Sequence, residues 1–123
     1  MFRHSLLLCL LFLSSFAVAG TPVLSADQKK LLVGSDRSLK EGWTVVRIAG
    51  NPRARGFQHG YLLGKEIADA VRKTKVAWIY QSALDWEWLR AHTNTLFGPK
   101  LGKELSEEID GMAEGTAAAG TPV

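Results

Sequence analysis

The most informative segment of the chain reads Gly50-Asn51-Pro52-Arg53-Ala54-Arg55-Gly56-Phe57-Gln58-His59-Gly60. Residues 43–49 before it are rich in β-branched and aromatic side chains and are bounded by glycines, which predicts a strand. Because their apolar residues do not alternate strictly, we expect this strand to be buried on more than one side. Within the segment, Asn51 can accept a hydrogen bond from a backbone N–H at a helix start, and Pro52 suits the first helical position. The sequence therefore predicts a strand, a turn and a helix that begins near Asn51.

Small and apolar residues recur at spacings of three and four beyond Asn51, whereas charged residues fall on the opposite side. This pattern predicts one amphipathic helix, whose packed face comprises Gly60, Leu63, Gly64, Ile67, Ala70, Val71 and Thr74. Gly56, Gly60 and Gly64 form one stripe on it, although glycine inside a helix costs about 1 kcal/mol relative to alanine. We therefore expect a helix or strand backbone to pack closely on the stripe. The alternative is a ligand or oxyanion bound near Gly56 at the helix start.

Three more segments follow this helix. Residues 76–89 continue a helical pattern that is apolar on so many sides that it predicts covering by other polypeptide. Residues 92–99 include asparagine, glycine and proline, which predicts a loop. A third helix is then predicted to end near Gly115, with a packed face formed by Leu101, Leu105, Ile109, Met112 and Ala113. One strand among several helices predicts an α+β fold that is mostly helical.

The chain has 123 residues, which is room for one domain at most. Residues 1–19 match a secretory signal peptide, because basic residues precede an apolar run that ends in small residues. We predict cleavage after Ala19 and a secreted or periplasmic location. Residues 20–42 are predicted to be a polar leader with a helical turn, and residues 43–123 to be part of the domain itself.

Cleavage of the signal peptide would also change the chemistry of the chain. Removing Arg3 lowers the 15 basic residues to 14, against 12 acidic residues, and Cys9 is the single cysteine. Without it the chain has no disulfide or thiolate chemistry, and its nearly neutral charge gives no case for a nucleic-acid partner. The apolar run is shorter than the roughly 20 residues that span a bilayer, so we expect no membrane partner. An uncleaved anchor and a lipid on Cys9 are the lesser alternatives.

The histidines and arginines are the first candidates for a site. His4, His59 and His92 lack the spacing of metal ligands, and no phosphate or dinucleotide fingerprint is complete, so we assign no metal and no cofactor. His59 could act as a general base, but we favour hydrogen bonding to backbone between helix and strand. For Arg53 and Arg55 we expect pairing with acidic groups or stabilisation of a turn. Bidentate binding of a substrate carboxylate is the alternative.

Aromatic and acidic residues give two weaker candidate sites. Trp78, Trp86 and Trp88 occur at helical spacing, which favours a core or interface role over contact with a sugar or lipid. The acidic residues of the third helix lie opposite its predicted packed face, which indicates a solvated surface. A metal or acid–base role is the alternative, and the residues concerned are Glu107, Glu108, Asp110 and Glu114.

Two glycine-containing patterns carry a family resemblance. The first is Gly50-x-Pro52-x-x-x-Gly56-x-x-His59-Gly60, and the second is Glu107-Glu108-Ile109-x-Gly111-Met112-Ala113-x-Gly115. In order, separation and helical context they resemble the N-terminal region of the autoproteolytic acyltransferases typified by isopenicillin N acyltransferase, which are N-terminal nucleophile hydrolases. Phospholipase B-like proteins are the related alternative. The resemblance extends from about residue 43 to residue 120, and we interpret the residues that carry it as structural.

The resemblance implies a four-layer αββα enzyme that cuts its own precursor to expose a cysteine, whose free amino group serves as the base. Such an enzyme transfers or hydrolyses a small acyl or amide substrate through an acyl-enzyme. No cysteine follows Cys9 here, and Thr116 and Thr121 lie beside the second pattern without a downstream sheet, so we assign no catalytic residue. We therefore expect the N-terminal portion of a larger enzyme, whose remainder is its partner. A non-enzymatic, secreted helical interaction module is the alternative.

Overall fold

The computed structural model describes residues 22–82 and 84–123, so the predicted signal peptide lies outside the described residues. Within them the fold is α+β and mostly helical, which confirms the predicted fold class at this level. Five α-helices, a short 3-10 turn and a two-stranded antiparallel sheet follow one another in the order α1 (Ala26–Leu31), β1 (Asp36–Lys40), β2 (Trp43–Arg47), α2 (Pro52–Leu62), α3 (Gly64–Ser82), α4 (Trp86–Phe97), the 3-10 turn (Gly98–Lys100) and α5 (Lys103–Ala118).

Strands β1 and β2 form a hairpin whose register runs from Asp36 opposite Arg47 to Lys40 opposite Trp43. Both residues of its two-residue turn have positive φ, 51° at Glu41 and 85° at Gly42, as a type I′ turn requires. Strand β1 lies within residues 20–42, where the sequence predicts a polar leader with a helical turn and no strand. The burial predicted for β2 is also wrong, because Val46 alone in it is half-buried and the other four residues are exposed. The reason is that, in residues 22–82 and 84–123, the sheet has only two strands.

Helix α2 begins where the sequence predicts. Asn51 has extended φ and ψ angles, and its side-chain oxygen accepts from the Ala54 N–H at 2.9 Å. The single long helix that we expected is divided, however, because Leu63 departs from helical geometry (φ −117°, ψ 21°) between α2 and α3. Gly64 follows Leu63 directly and Gly60 lies three residues before it, and glycine lowers the helix propensity of this stretch.

The predicted loop at residues 92–99 is also wrong. Helix α4 continues to Phe97, and Gly98 then donates its N–H to the carbonyl oxygen of Asn94 before the 3-10 turn. Pro99 fits there because the first residues of a helical turn need no backbone N–H donor. The residues that suggested a loop therefore end a helix and begin a turn.

The core lies where α2 crosses α5. Apart from glycines, the buried residues of the described chain are Ala54, Phe57, Gln58, Thr116 and Ala118. The packed face predicted for the third helix is wrong, because Leu105 and Ile109 remain 51% and 45% exposed. Gly111, Gly115, Thr116 and Ala118 are the buried residues of α5 instead. The buried residues of α5 are small because the backbones of α2 and α5 approach too closely there to admit large side chains.

Candidate functional site

The two glycine patterns meet in one structure, a crossing of α2 and α5 that we call the glycine joint (Gly56 and Gly60 of α2, Gly111 and Gly115 of α5). A methyl group built on Gly56 would lie 2.8 Å from the carbonyl carbon of Glu108. One on Gly60 would lie 2.9 Å from the carbonyl carbon of Met112. Both distances are shorter than carbon atoms tolerate, so neither position has room for a side chain.

The contact is reciprocal. A methyl group on Gly111 would lie 3.0 Å from the Phe57 nitrogen, and one on Gly115 would lie 2.8 Å from the Tyr61 nitrogen. Each helix thus presents two glycines, four residues apart, to the backbone of the other, which is the arrangement that favours Cα–H···O contacts. This confirms close backbone packing for Gly56 and Gly60, and it places a helix, not a ligand, against Gly56.

Ion pairs flank the glycine joint. Arg55 of α2 donates to Glu104 at 2.7 Å and to Glu108 at 3.0 Å, and also to the carbonyl oxygen of Gly50 at 3.2 Å. The hydrogen bonds to Glu104 and Glu108 raise the pKa of the Arg55 guanidinium. The prediction that Arg55 pairs with acidic groups and stabilises a turn is confirmed. Because Nη1 and Nη2 of Arg55 both donate to groups within the chain, the two are not free to bind a substrate carboxylate together.

A second pair fixes the other end of the crossing. Arg53 donates through Nε and Nη2 to one oxygen of Glu114, at 3.2 and 2.8 Å, and these contacts raise the pKa of its guanidinium. The interpretation of all four acidic residues as solvated surface is therefore wrong for Glu108 and Glu114, which reach α2. Glu107 is half-buried and lies 3.6 Å from Lys103, whereas Asp110 is exposed and its charge contributes to the raised pKa of Arg53.

Gln58 connects three parts of the fold, a role that was not predicted from the sequence. It is 1% exposed, and its side-chain oxygen accepts from the Ala49 N–H at 2.7 Å. Its amide nitrogen donates to the carbonyl oxygens of Leu31 at 2.6 Å and Ala49 at 3.0 Å. One side chain thus joins the end of α1, the residues after β2, and α2. The available signal was its position on the side of α2 opposite the glycine stripe, in line with Ala54.

His59 does not have the role that we favoured for it. The residue is half-buried, and among the described residues its ring makes no hydrogen bond to backbone or to a hydroxyl group. Gln58, one residue earlier, makes the backbone contacts between helix and strand that we expected of His59. The structure also brings no nucleophile within hydrogen-bonding distance of His59 in residues 22–82 and 84–123.

The threonines considered as substitute nucleophiles are used in ending α5. Thr116 is fully buried, and its hydroxyl donates to the carbonyl oxygen of Ala113 at 2.9 Å. Gly120 has a φ of 76° and donates to Ala117, while Thr121 donates through its N–H to Thr116 at 2.9 Å. These are the two hydrogen bonds of a Schellman motif. The hydroxyl of Thr121 also donates to the Thr116 carbonyl oxygen, at 3.2 Å.

The three tryptophans of the central helices lie apart from the glycine joint. Trp78 and Trp86 are half-buried, whereas Trp88 is 46% exposed and stacks on His92 with ring centroids 3.8 Å apart. Trp88 therefore lies outside the core, and the interface role that was the other part of the prediction stays a prediction. Beside it runs a groove of about 780 Å³. We call it the α4 groove, and its apolar lining comes mainly from Trp86, Leu89, Phe97 and Leu101.

The candidate site residues of the described chain make packing contacts, hydrogen bonds and ion pairs with one another. Within residues 22–82 and 84–123 no cluster of three or more His, Cys, Asp or Glu side chains is placed to hold a metal ion. None of the helices in that part of the chain has the length and apolar character needed to cross a membrane. No family model, curated protein or solved structure matches the chain.

Proposed function

We propose that this chain is the N-terminal portion of a secreted autoproteolytic acyltransferase or amide hydrolase of the N-terminal nucleophile type. In this proposal its role is architectural. The hairpin contributes to one sheet of an αββα enzyme, and the helices contribute to an outer layer. Further polypeptide supplies the nucleophilic cysteine, which attacks a small acyl or amide substrate and forms an acyl-enzyme.

The observation that supports the proposal is the glycine joint. The two patterns that suggested the family are separated by more than forty residues in sequence, yet their glycines pack on each other's helix backbone. The ion pairs of Arg53 and Arg55 cross between the same two patterns. Patterns that form one structural unit are more specific evidence for a family than two unrelated glycine motifs would be.

A second observation is consistent with a partner polypeptide. Large apolar side chains stay exposed on both the hairpin and the later helices, including Leu39, Trp43, Leu96, Phe97 and Leu105. Exposed apolar surface of this extent usually marks an interaction site. A two-stranded sheet is also marginal by itself in water, so additional strands would stabilise the hairpin.

The proposal is tested by joining the chain to the polypeptide encoded directly after Val123. We expect that sequence to place a cysteine at the start of a β-prone run, and the joined product to cleave itself just before this cysteine. Intact mass and N-terminal sequencing measure the cleavage, and replacement of that cysteine by alanine is the matched control. A joined product that lacks such a cysteine, or that stays uncleaved, would contradict the proposal.

A second test uses the chain alone. An electrophilic activity probe such as a β-lactone should leave its intact mass unchanged, because Thr116 and Thr121 donate their hydroxyls to backbone carbonyl oxygens. A stoichiometric adduct on either threonine would show that the chain carries its own nucleophile. The assignment of catalysis to other polypeptide would then be wrong.

The second candidate is a non-enzymatic interaction module, and the α4 groove is the observation that favours it. This groove combines Trp86 and Phe97 with the polar side chains of Arg90 and Asn94, and it lies apart from the glycine joint. A module that works alone must fold alone. A chain with no cooperative unfolding transition in urea would therefore exclude this candidate.

A further inference from the structure

The hairpin register determines which backbone groups of β2 face away from β1. Lys40 and Trp43 close the type I′ turn, so their backbone groups bond to each other. Inward and outward positions alternate along an antiparallel strand, which leaves Thr44 and Val46 facing outward. In the described chain neither residue's N–H or C=O makes a backbone hydrogen bond on that side.

The outer edge of β2 lacks the features that usually prevent strand pairing. Its five residues are aromatic or β-branched except for one arginine at the end, and none is proline. By contrast, β1 carries Asp36, Arg37 and Lys40 along its edge, and Arg37 is engaged with Glu66 of α3. Charged residues protect an edge, whereas a β-prone uncharged edge is a template for another strand.

We propose that the outer edge of β2 pairs with β2 of a second copy of this chain, antiparallel and centred on Val45. In this register Thr44 lies opposite Val46 of the second copy, so the outward backbone groups of both residues are satisfied in each copy. All five residues of the strand are paired. The two hairpins become one continuous four-stranded sheet, related by a two-fold axis as in an isologous dimer.

Side-chain complementarity favours a second copy of the chain as the partner of the β2 edge. The register places Trp43 opposite Arg47 of the second copy, with the two Val45 side chains between the symmetric pairs. Trp43 is 76% exposed, so its ring is available for a guanidinium to stack on it. Asp36 lies beside Arg47 on the same face, and no like charges oppose each other along the new pair of strands. The pairing uses the hairpin alone and does not depend on the enzymatic proposal.

The test is sedimentation equilibrium of the full chain from micromolar to millimolar concentration, with two matched variants. Leu39 and Thr44 are cross-strand partners, both exposed and both with N–H groups that face outward on opposite edges. Thr44→Pro therefore removes a donor only from the β2 edge, and Leu39→Pro removes one only from the β1 edge. Each change leaves the hydrogen bonds between β1 and β2 intact.

We expect the wild-type chain to dimerise. Thr44→Pro should raise the dimer dissociation constant by at least about tenfold, because the Thr44 N–H hydrogen bond is lost in both copies of the symmetric dimer. Leu39→Pro should dimerise like the wild type. A monomeric wild-type chain, or equal behaviour of the two variants, would overturn the proposal. Pairing of this edge only with an added extended peptide would overturn it too.

A measurement on the unaltered chain keeps the proposal testable if a proline variant fails to fold. Amide exchange at Thr44 and Val46 should slow as the concentration rises, whereas exchange at Arg37 and Leu39 should not change. Slowing on the β1 edge instead, or no dependence on concentration at any of the four amides, would contradict pairing through β2.

Discussion

Replacement of Gly60 by alanine tests the glycine joint most severely, because two effects of opposite sign compete. In an exposed helix this change would stabilise the chain by about 1 kcal/mol through backbone propensity. Here the new methyl group would lie 2.9 Å from both the carbonyl carbon of Met112 and the nitrogen of Thr116. Both obstacles are backbone atoms, so no side-chain rotation can relieve the clash.

The magnitude follows from the reciprocal geometry. The helices must separate to admit the methyl group, and separation also loosens the contacts at Gly56, Gly111 and Gly115. Overpacking at one site costs about 1 to 3 kcal/mol, and we take the upper value because four contacts move together. Subtracting about 1 kcal/mol of helix propensity leaves a destabilisation of about 2 kcal/mol, or about a thirtyfold fall in the folded-to-unfolded ratio.

Urea unfolding followed by circular dichroism measures this free energy, with the m-value checked for constancy. Gly102→Ala is the matched control, because a methyl group there meets nothing within 4 Å. Gly102 is the N-cap residue of α5, and we expect its replacement to cost less than about 1 kcal/mol. A Gly60→Ala variant that is as stable as the wild type, or more stable, would refute the reasoning.

Three further predictions concern single side chains. Gln58→Leu should destabilise the chain by about 3 kcal/mol, since three hydrogen bonds from the buried Gln58 side chain to the backbone of Leu31 and Ala49 are lost. Gln81→Leu on exposed α3 should change the urea midpoint little, and equal effects would contradict the role of Gln58. Asn51→Ala should cost about 1 kcal/mol by removing the N-cap of α2, while Asn51→Asp should keep it, as thermal unfolding can check. Hydrogen bonds from Lys73 and Arg72 lower the pKa of Asp69 below its ordinary value of 3.8, so Asp69 stabilises the folded chain above that pH and the contribution is lost as the pH falls through the lowered folded pKa. Carboxyl NMR titration should show the shift, and Asp69→Asn should remove that part of the acid dependence of stability.

Sequence reasoning succeeded where local chemistry decides the structure. Asn51 and Pro52 specify a helix start by their own hydrogen-bonding capacity, which no distant contact had to supply. The stripe of Gly56 and Gly60 indicated a close backbone approach because glycine is otherwise unfavourable in a helix. The pairing of Arg53 and Arg55 with acidic residues was also predicted, although the particular partners were not.

Sequence reasoning failed where distant contacts override local pattern. The apolar periodicity of α5 selected Leu105 and Ile109 as its packed face, but the glycine joint requires small residues at the crossing. Strand β1 was missed because Asp36–Lys40 is largely charged and becomes a strand through its pairing with β2. Gln58 was missed because a polar side chain is expected to be exposed unless its backbone partners are known.

The loop predicted at residues 92–99 shows a different limit. Gly98 and Pro99 do interrupt the α-helix, but they do so at its last residue and not through its final turns. Asn94 and Thr95 were read as loop residues, yet Thr95 satisfies its hydroxyl within the helix by donating to the carbonyl oxygen of Ala91 at 2.9 Å. Residue types that are common in loops locate a boundary only approximately.

The two glycine patterns form one backbone-to-backbone joint, and nuclear Overhauser effects between α2 and α5 measure that contact. We predict strong cross-peaks from the Hα protons of Gly60 to the amide of Thr116, and from those of Gly115 to the amide of Tyr61. Both pairs link α2 to α5 through backbone protons alone. Assigned spectra of the folded chain without these two cross-peaks would show that the glycine joint does not form.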